Sequence, residues 1–146
     1  MVKGLNHVGI SVSDLDRSVE FYRRVLGMEL VIETGFEGQS YAQILALTGP
    51  NGRVAALKAS TFELELFEFA SPQPRAMPVD RPVCDHGISH FCVEVSDIES
   101  EYERLLSLGV VFHCPPASFP GGDKATYARD PDGNVFELLE LARVQA

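Results

Sequence analysis

Hydrophobic and polar residues alternate in two segments of the chain that repeat one pattern. The segments are His7-Val-Gly-Ile-Ser-Val-Ser-Asp14 and His90-Phe-Cys-Val-Glu-Val-Ser-Asp97, which lie 83 residues apart. Because successive side chains of a β-strand point to opposite faces, each segment predicts a strand with one apolar face and one small, polar face that carries the histidine. The repeat predicts that the chain contains two copies of one structural unit.

Each predicted strand is followed by a predicted amphipathic helix. The residues with the spacing of a capping box are Ser13 with Asp16 and Ser96 with Glu99. The apolar stripes consist of Leu15, Val19 and Tyr22 in the first copy and of Ile98, Tyr102 and Leu105 in the second. Gly27 and Gly109 stand where the two helices are expected to end, because glycine commonly follows the last helical turn.

Segments rich in strand-forming residues follow both helices. They are Glu29 to Thr34, Tyr41 to Leu47, Val54 to Ala59 and Phe62 to Phe69 in the first copy, and Val110 to His113, Ala125 to Arg129 and Val135 to Leu141 in the second. Each copy therefore predicts a βαβββ module, which places the chain in the α+β class. We predict one domain, 1–146, with module one at 1–70, a proline-containing linker at 71–84 and module two at 85–146.

Glutamates repeat in the last predicted strand of each copy. Glu65-Leu-Phe-Glu-Phe69 matches Glu137-Leu-Leu-Glu-Leu141 at an offset of 72 residues. The first copy therefore has about eleven additional residues between its histidine and its glutamate, and we place this insertion within 35–53. If a pseudo-twofold axis relates the copies, His7 with Glu65 and His90 with Glu137 form two equivalent pairs.

Two imidazoles and two carboxylates form a ligand set that suits one divalent ion of zinc, nickel, cobalt, manganese or iron, with positions left for water or substrate. A single histidine or glutamate on a strand is more often a hydrogen-bonded or solvated residue. The prediction of a metal site at His7, Glu65, His90 and Glu137 therefore depends on the recurrence of both residue types at matched positions in the two copies.

Composition and charge exclude several classes of protein. The 146 residues are 45% hydrophobic, enough to build a core, and contain no apolar run of the length that crosses a bilayer. A net charge of -9 opposes binding to nucleic acid and to anionic membranes. No export signal is visible and the three cysteines have no CxxC spacing, so a reducing cytoplasm is the expected location.

Four motifs together are specific for one superfamily. They are His7-Val-Gly-Ile-Ser-Val-Ser-Asp-Leu, Phe21-Tyr-Arg-Arg-Val-Leu-Gly27, the second histidine His90, and Asp130-Pro-Asp-Gly-Asn-Val-Phe-Glu-Leu138. Over nearly its whole length the chain resembles the vicinal oxygen chelate superfamily, which includes glyoxalase I, methylmalonyl-CoA epimerase, fosfomycin resistance enzymes, extradiol dioxygenases and bleomycin resistance proteins. The resemblance implies two βαβββ modules in a cupped mixed sheet, with helices outside and metal ligands on the first and last strands of each module. It also implies a homodimer.

The ligand set discriminates among the reactions of this superfamily. The resemblance to extradiol dioxygenases implies a metal-binding triad of two histidines and one carboxylate, whereas Glu65 supplies a fourth candidate ligand here. We therefore expect a metal-dependent lyase or isomerase that chelates vicinal oxygens of a small carbonyl substrate and stabilises an enolate, with Glu137 or Glu65 as the catalytic base. A metal-free protein that binds a small molecule or antibiotic and a ring-cleaving dioxygenase remain the alternatives.

The resemblance does not select one substrate. The join between the copies resembles that of methylmalonyl-CoA epimerase, but that resemblance implies a glutamine where Glu65 stands and a second glutamate around 47–53, and neither is present. Candidates for substrate binding are Tyr127, Arg129 and Phe67. His86 and His113, which lack a counterpart in the other copy, are expected on loops or at the rim, and no cationic neighbour predicts a nucleophilic role for Cys92.

Overall fold

The computed structural model describes residues 1–142 of the 146-residue chain, so the last four residues of predicted module two lie outside the described residues. The chain divides into two compact units, Met1–Ala76 and Met77–Ala146. The boundary between them falls inside the predicted linker, and residues 77–84 belong to the second unit. No described helix has the length and hydrophobicity needed to span a membrane.

The first unit is a four-stranded sheet with one long helix packed on one face. Its elements are β1 (Val8–Ser11), α1 (Leu15–Leu26), β2 (Glu29–Glu37), α2 (Gln39–Leu45), β3 (Asn51–Ala59) and β4 (Phe62–Ser71). The strand order is β1-β4-β3-β2, with β1 parallel to β4 and the other pairs antiparallel. The apolar stripe of α1 and the inward side chains of β3 and β4 form the core, in which Leu15, Tyr22, Leu57, Leu64 and Leu66 are fully buried.

The second unit repeats this arrangement. Its elements are β5 (Phe91–Glu94), α3 (Ile98–Ser107), β6 (Val111–Phe112), β7 (Ala117–Ser118), β8 (Lys124–Arg129) and β9 (Val135–Glu140). The order is β5-β9-β8-β6, with β7 also paired to β8 and with β5 parallel to β9. Ile98 and Leu105 of α3 are fully buried, as are Phe136 and Leu138 of β9.

The predicted α+β class with two βαβββ copies is confirmed, apart from one predicted strand. Residues 41–47 were expected to form a strand, but α2 occupies Gln39–Leu45 in the predicted insertion. This prediction is wrong because Gln, Ala and Leu in this segment favour a helix over the strand preference of Tyr41 and Ile44. Gly38, at φ 94°, turns the chain into the helix, and Ala46, at φ 54°, ends it.

The helix caps lie one residue later than the capping-box spacing predicts. Asp14 Oδ1 accepts the backbone N–H of Arg17 at 2.9 Å, and Asp97 Oδ1 accepts that of Ser100 at 3.0 Å. Aspartate is as good a cap as serine, and its charge is also stabilised by the helix dipole. Gly27 ends α1 in the left-handed conformation, as predicted.

Candidate metal centre

Parallel pairing of β1 with β4 brings the first predicted pair of ligands together. His7 directly precedes β1, and Gly9 lies opposite Glu65 in the β1–β4 register. The His7 Nε2 atom is 3.3 Å from Glu65 Oε2. On the other ring nitrogen, His7 Nδ1 donates a hydrogen bond to Asn6 Oδ1 at 2.8 Å. This hydrogen bond leaves Nε2 of the neutral imidazole without a proton and directed at the carboxylate.

The second pair has the same construction in the second unit. His90 directly precedes β5, Cys92 lies opposite Glu137 in the β5–β9 register, and His90 Nε2 is 3.1 Å from Glu137 Oε2. His90 Nδ1 is hydrogen-bonded to Ser89 Oγ at 2.9 Å. The second pair is the more buried, since its side chains are 25% and 16% exposed against 39% and 32% in the first.

The chemistry of each pair fits a divalent cation. Two groups that both offer lone pairs repel each other at about 3 Å unless a proton or a cation lies between them. Metal–ligand bonds of about 2.0–2.1 Å in tetrahedral geometry place neighbouring ligand atoms about 3.3 Å apart. The spacings of 3.3 Å and 3.1 Å between nitrogen and oxygen match that value.

A single pair is only half of such a site. Within each unit, the described residues bring no third histidine, cysteine, aspartate or glutamate into a group that could hold a metal. Zinc sites in proteins use three or four protein ligands. A complete site therefore needs ligands beyond those of one unit.

The residues beside each pair differ between the two units. Across the first sheet, Glu65 lies in a row with Gly9, Ala56 and Ile32, and Phe67 follows on the same face. Across the second sheet, Glu137 lies in a row with Cys92 and Tyr127, and the ring of His113 contacts that of Tyr127. The row through Glu65 is thus small and apolar, whereas the row through Glu137 is polar and aromatic.

Tyr127 is the predicted substrate-binding residue that lies closest to a ligand pair. Its ring centroid is 4.7 Å from that of His90, and it lies directly opposite Glu137 on the neighbouring strand. Burial, followed by the negative charge of Glu137, raises the pKa of Tyr127. Its hydroxyl is therefore protonated at neutral pH and available as a hydrogen-bond donor.

The other two predicted substrate-binding residues have different surroundings. Arg129 lies two residues from Tyr127 on the same face, and its guanidinium donates to the backbone carbonyls of Gly133 and Arg81, both at 2.9 Å. Phe67 packs against Phe36 and Phe69 on the face that carries Glu65. Tyr127 thus lies beside the second pair, Arg129 is hydrogen-bonded to backbone carbonyls, and Phe67 belongs to an aromatic cluster.

Cys92 is a thiol, not a thiolate, at neutral pH. Partial burial of its sulfur, followed by the charge of Glu137 and then that of Glu94, raises the pKa of Cys92 to about 12. The residue as a whole is nevertheless exposed. The neighbours of this thiol are acidic, in agreement with the expectation that no cation activates it as a nucleophile.

Sequence reasoning missed two carboxylates that hold the strands and helices of each unit together. Glu140 Oε2 accepts the backbone N–H of Ile98 at 2.7 Å, and Glu68 Oε1 accepts that of Leu15 at 3.4 Å. Each carboxylate lies three residues after a predicted ligand, Glu65 or Glu137, on the same strand. The spacing Glu-x-x-Glu occurs in both copies, so the signal was present in the repeat.

An open cavity of about 450 Å³ lies at the far end of β2, β3 and β4. Its lining includes Phe36, Gly52 and Arg53 but neither residue of the first pair. The guanidinium of Arg53 is engaged by Asp16 and Glu33 at 2.7 Å and 2.6 Å. The chemistry of the ligand pairs therefore lies outside this cavity.

Comparison with known proteins agrees with this architecture. Residues 4–138 match the family model described as Glyoxalase/Bleomycin resistance protein/Dioxygenase superfamily. A lactoylglutathione lyase from Schizosaccharomyces pombe is 33% identical over 97% of this chain and 48% of its own length. A 2-epi-5-epi-valiolone epimerase from an Actinomyces species is 31% identical over 94% of this chain and 79% of its own length.

Among solved structures, a glyoxalase family protein from Bacillus cereus superposes with a TM-score of 0.87 over 97% of both chains at 22% identity, which shows the shared fold. The chain spans about half the length or less of several lactoylglutathione lyases that it matches, covering 48%, 43% and 35% of three of them.

Proposed function

Because the chain belongs to the glyoxalase/bleomycin resistance protein/dioxygenase superfamily, we propose that it is a divalent-metal-dependent lyase or isomerase acting on a small carbonyl substrate. The observation that carries the proposal is the pairing of a histidine with a glutamate at 3.3 Å and at 3.1 Å in matched positions of the two units. Similarity to a lactoylglutathione lyase and to an epimerase supports chemistry at a carbon next to a carbonyl group.

His7, Glu65, His90 and Glu137 would together hold one ion of zinc, nickel, cobalt, manganese or iron. The two carboxylates balance the charge of a divalent ion, and the neutral imidazoles are the commonest nitrogen ligands for these metals. When bound, the ion supplies Lewis-acid polarisation of two neighbouring substrate oxygens, which stabilises an enolate. The hydrogen bonds that Nδ1 of His7 makes with Asn6 Oδ1 and Nδ1 of His90 makes with Ser89 Oγ orient the two imidazoles for this role.

Glu137 is the proposed base, with Glu65 as its counterpart in the other copy. A carboxylate beside the substrate accepts the proton from the carbon next to the carbonyl and returns it to the neighbouring carbon or to the opposite face of the same carbon. The first outcome is an isomerisation and the second an epimerisation. Tyr127, whose ring lies against His90, would donate a hydrogen bond to a substrate oxygen.

The proposed function is tested by following proton exchange in deuterium oxide. The metal-loaded protein is incubated with the hemithioacetal of methylglyoxal and glutathione, and separately with 2-epi-5-epi-valiolone, and products are analysed by NMR. We expect turnover of at least one compound with solvent deuterium at the carbon next to the carbonyl, and loss of turnover after chelation.

Substitution of the proposed base provides the matched comparison. We expect Glu137→Gln to lower kcat by at least about a hundredfold, the usual contribution of a general base, because the substitution removes the base together with a proposed metal ligand. Glu94→Gln removes an exposed carboxylate from β5 in the same unit and should leave kcat within about twofold. Activity that survives both chelation and Glu137→Gln would rule out metal-dependent catalysis at this site. Binding of either compound with no turnover and with an affinity that chelation does not change would favour a protein that binds small molecules without a metal.

A further inference from the structure

The two units present the same pair of ligands but different neighbours. In the first unit the row through Glu65 continues with Ala56 and Ile32, neither of which can form a side-chain hydrogen bond. In the second unit the row through Glu137 continues with Tyr127 and then His113. Hydrogen-bonding side chains therefore continue the row through Glu137, the proposed base, but not the equivalent row through Glu65.

His113 is fixed to this row by backbone and ring contacts. Its backbone N–H donates to the carbonyl of Tyr127 at 2.8 Å, which continues the pairing of β6 with β8. Its ring lies edge-on to the Tyr127 ring with a centroid distance of 5.9 Å, and the Tyr127 ring is 4.7 Å from that of His90. The three rings form a continuous line on the sheet face opposite α3, and His113 is exposed at its end.

A cationic side chain, Arg129, acts on this end of the row. In the second unit, the described residues give Arg129 no carboxylate partner, since its guanidinium donates to two backbone carbonyls. Burial and then the charge of Arg129 lower the pKa of His113. The imidazole is therefore neutral at neutral pH and offers one N–H donor beside the Tyr127 hydroxyl.

We propose that His113 and the Tyr127 hydroxyl form a subsite for a carboxylate of the substrate, beside the vicinal oxygens that the ion held by Glu137 would bind. The two donors and the unneutralised charge of Arg129 select an anionic oxygen over a cationic or apolar group. This inference rests on the proposed function, because it takes Glu137 as a metal ligand and base.

Strand spacing sets the size of the substrate that reaches both sites. Neighbouring strands lie about 4.8 Å apart, so His113 is about 10 Å from Glu137 across β8. The side chains shorten this gap, and a five-carbon hydroxy acid with a second carboxylate spans what remains. The hydroxyl and carboxylate at one end supply vicinal oxygens, and the second carboxylate reaches the subsite.

Two matched ligands test the subsite without an assay of turnover. 2-Hydroxyglutarate and 2-hydroxyvalerate share the chelating hydroxy-acid group and the same carbon number, but only the first has a second carboxylate. Their affinities for the metal-loaded protein are measured by calorimetry. We expect the wild type to bind 2-hydroxyglutarate about tenfold or more tightly than 2-hydroxyvalerate, the size of a charge-assisted hydrogen bond.

Three variants separate hydrogen bonding from packing. His113→Phe keeps a ring against Tyr127 but lacks the N–H, so it should lose most of the preference and bind 2-hydroxyvalerate as the wild type does. His113→Gln retains a donor and should keep part of the preference. His86→Phe changes another exposed histidine of the second unit and should keep all of it.

Equal binding of the two acids by the wild type, or an unchanged preference in His113→Phe, would overturn the subsite. Failure of the metal-loaded protein to bind either acid would overturn it as well. Metal content is measured on the same samples, and a wild type that retains no metal would instead refute the proposed function on which the subsite rests.

Discussion

The two histidines of the repeat are oriented by different partners, although each faces a glutamate. Nδ1 of His7 donates a hydrogen bond to Asn6 Oδ1 at 2.8 Å, and Nδ1 of His90 is hydrogen-bonded to Ser89 Oγ at 2.9 Å. Both partners are the residue directly before the histidine, so each ring is oriented by a local contact that needs no distant element. This arrangement directs Nε2 of each ring at its glutamate, as second-sphere hydrogen bonds do in metal sites.

The reactivity of Cys92 reports the charge of Glu137. Because its pKa is raised to about 12, only a minute fraction of this thiol is ionised at pH 8. In metal-free protein we expect iodoacetamide to modify Cys92 far more slowly than the exposed Cys84 and Cys114, as followed by mass spectrometry of peptides. Glu137→Gln removes the neighbouring negative charge, which lowers the pKa of Cys92, and should accelerate its modification.

The matched control for this experiment is Glu63→Gln, which removes a carboxylate from β4 in the first unit and should not change the rate at Cys92. A rate at Cys92 equal to that at Cys84 in the wild type would contradict the position of Glu137 beside this thiol.

Single residues could be predicted from the sequence where the repeat supplied a second instance. His7 with Glu65 and His90 with Glu137 were predicted as pairs, and each pair is in contact within its own unit. His113 has no counterpart in the first copy, so nothing in the sequence distinguished it from a residue on a loop. Tyr127 was a predicted substrate-binding residue, but the position of His113 beside it is visible only through the β6–β8 register.

At the scale of elements, Glu140 joins the strand that carries Glu137 to the helix that follows β5. Its carboxylate accepts the N–H of Ile98 at 2.7 Å, where the positive end of the α3 dipole stabilises negative charge. Glu140→Ala should lower the free energy of unfolding by about 1–2 kcal/mol, the usual cost of losing a helix cap. Urea denaturation followed by circular dichroism measures this change.

Glu20→Ala is the control for that measurement. Glu20 pairs with Arg24 on the exposed side of α1, and its loss should cost about 0.3–0.5 kcal/mol. If the two variants were equally stable, Glu140 would not anchor α3 to β9.

Close packing of β3 against β4 and β2 requires a glycine at 52. A Cβ at this position would clash with the backbone carbonyl of Glu68 and approach the Phe36 ring to 3.0 Å. Gly52→Ala should therefore destabilise the protein by about 1–3 kcal/mol, as overpacking does. Thermal unfolding should show this loss as a lower Tm.

Gly35→Ala on the neighbouring strand is the matched substitution. A Cβ at Gly35 would lie 3.7 Å from the Gly52 carbonyl oxygen, an ordinary contact, so stability should change little. Equal stability of the Gly52→Ala and Gly35→Ala proteins would contradict the requirement for glycine at position 52, because β3 and β4 could then move apart with no loss of stability.

Elements with strong periodicity were predictable, and the short helix of the insertion was not. The stripes of α1 and α3 and the alternating faces of β1 and β5 reflect burial on one side only, which leaves a periodic signal. α2 has seven residues, none of them buried, and therefore leaves no such signal. The observed helix caps lie one residue after the predicted ones because Ser-Asp offers two adjacent capping side chains in both copies.

At the scale of the whole molecule, internal repetition is the property from which most of the function was inferred. It predicted two units of one architecture, each with one histidine and one glutamate on the face opposite its helix. Repetition also limited the inference, because it reveals what the copies share and not where they differ. The polar row at Tyr127 and the apolar row at Ala56 are such a difference, and substrate selection depends on it.

Metal stoichiometry is the most direct test of the proposed metal site formed by His7, Glu65, His90 and Glu137. We predict one divalent ion per chain in the wild type by elemental analysis, with loss of the ion in His7→Ala, Glu65→Gln, His90→Ala and Glu137→Gln and retention in His86→Ala and Glu63→Gln. Circular dichroism confirms that each variant is folded. A wild type that cannot be loaded with zinc, nickel, cobalt, manganese or iron, or a loss of metal confined to the variants of one unit, would contradict the assignment of all four residues to one ion.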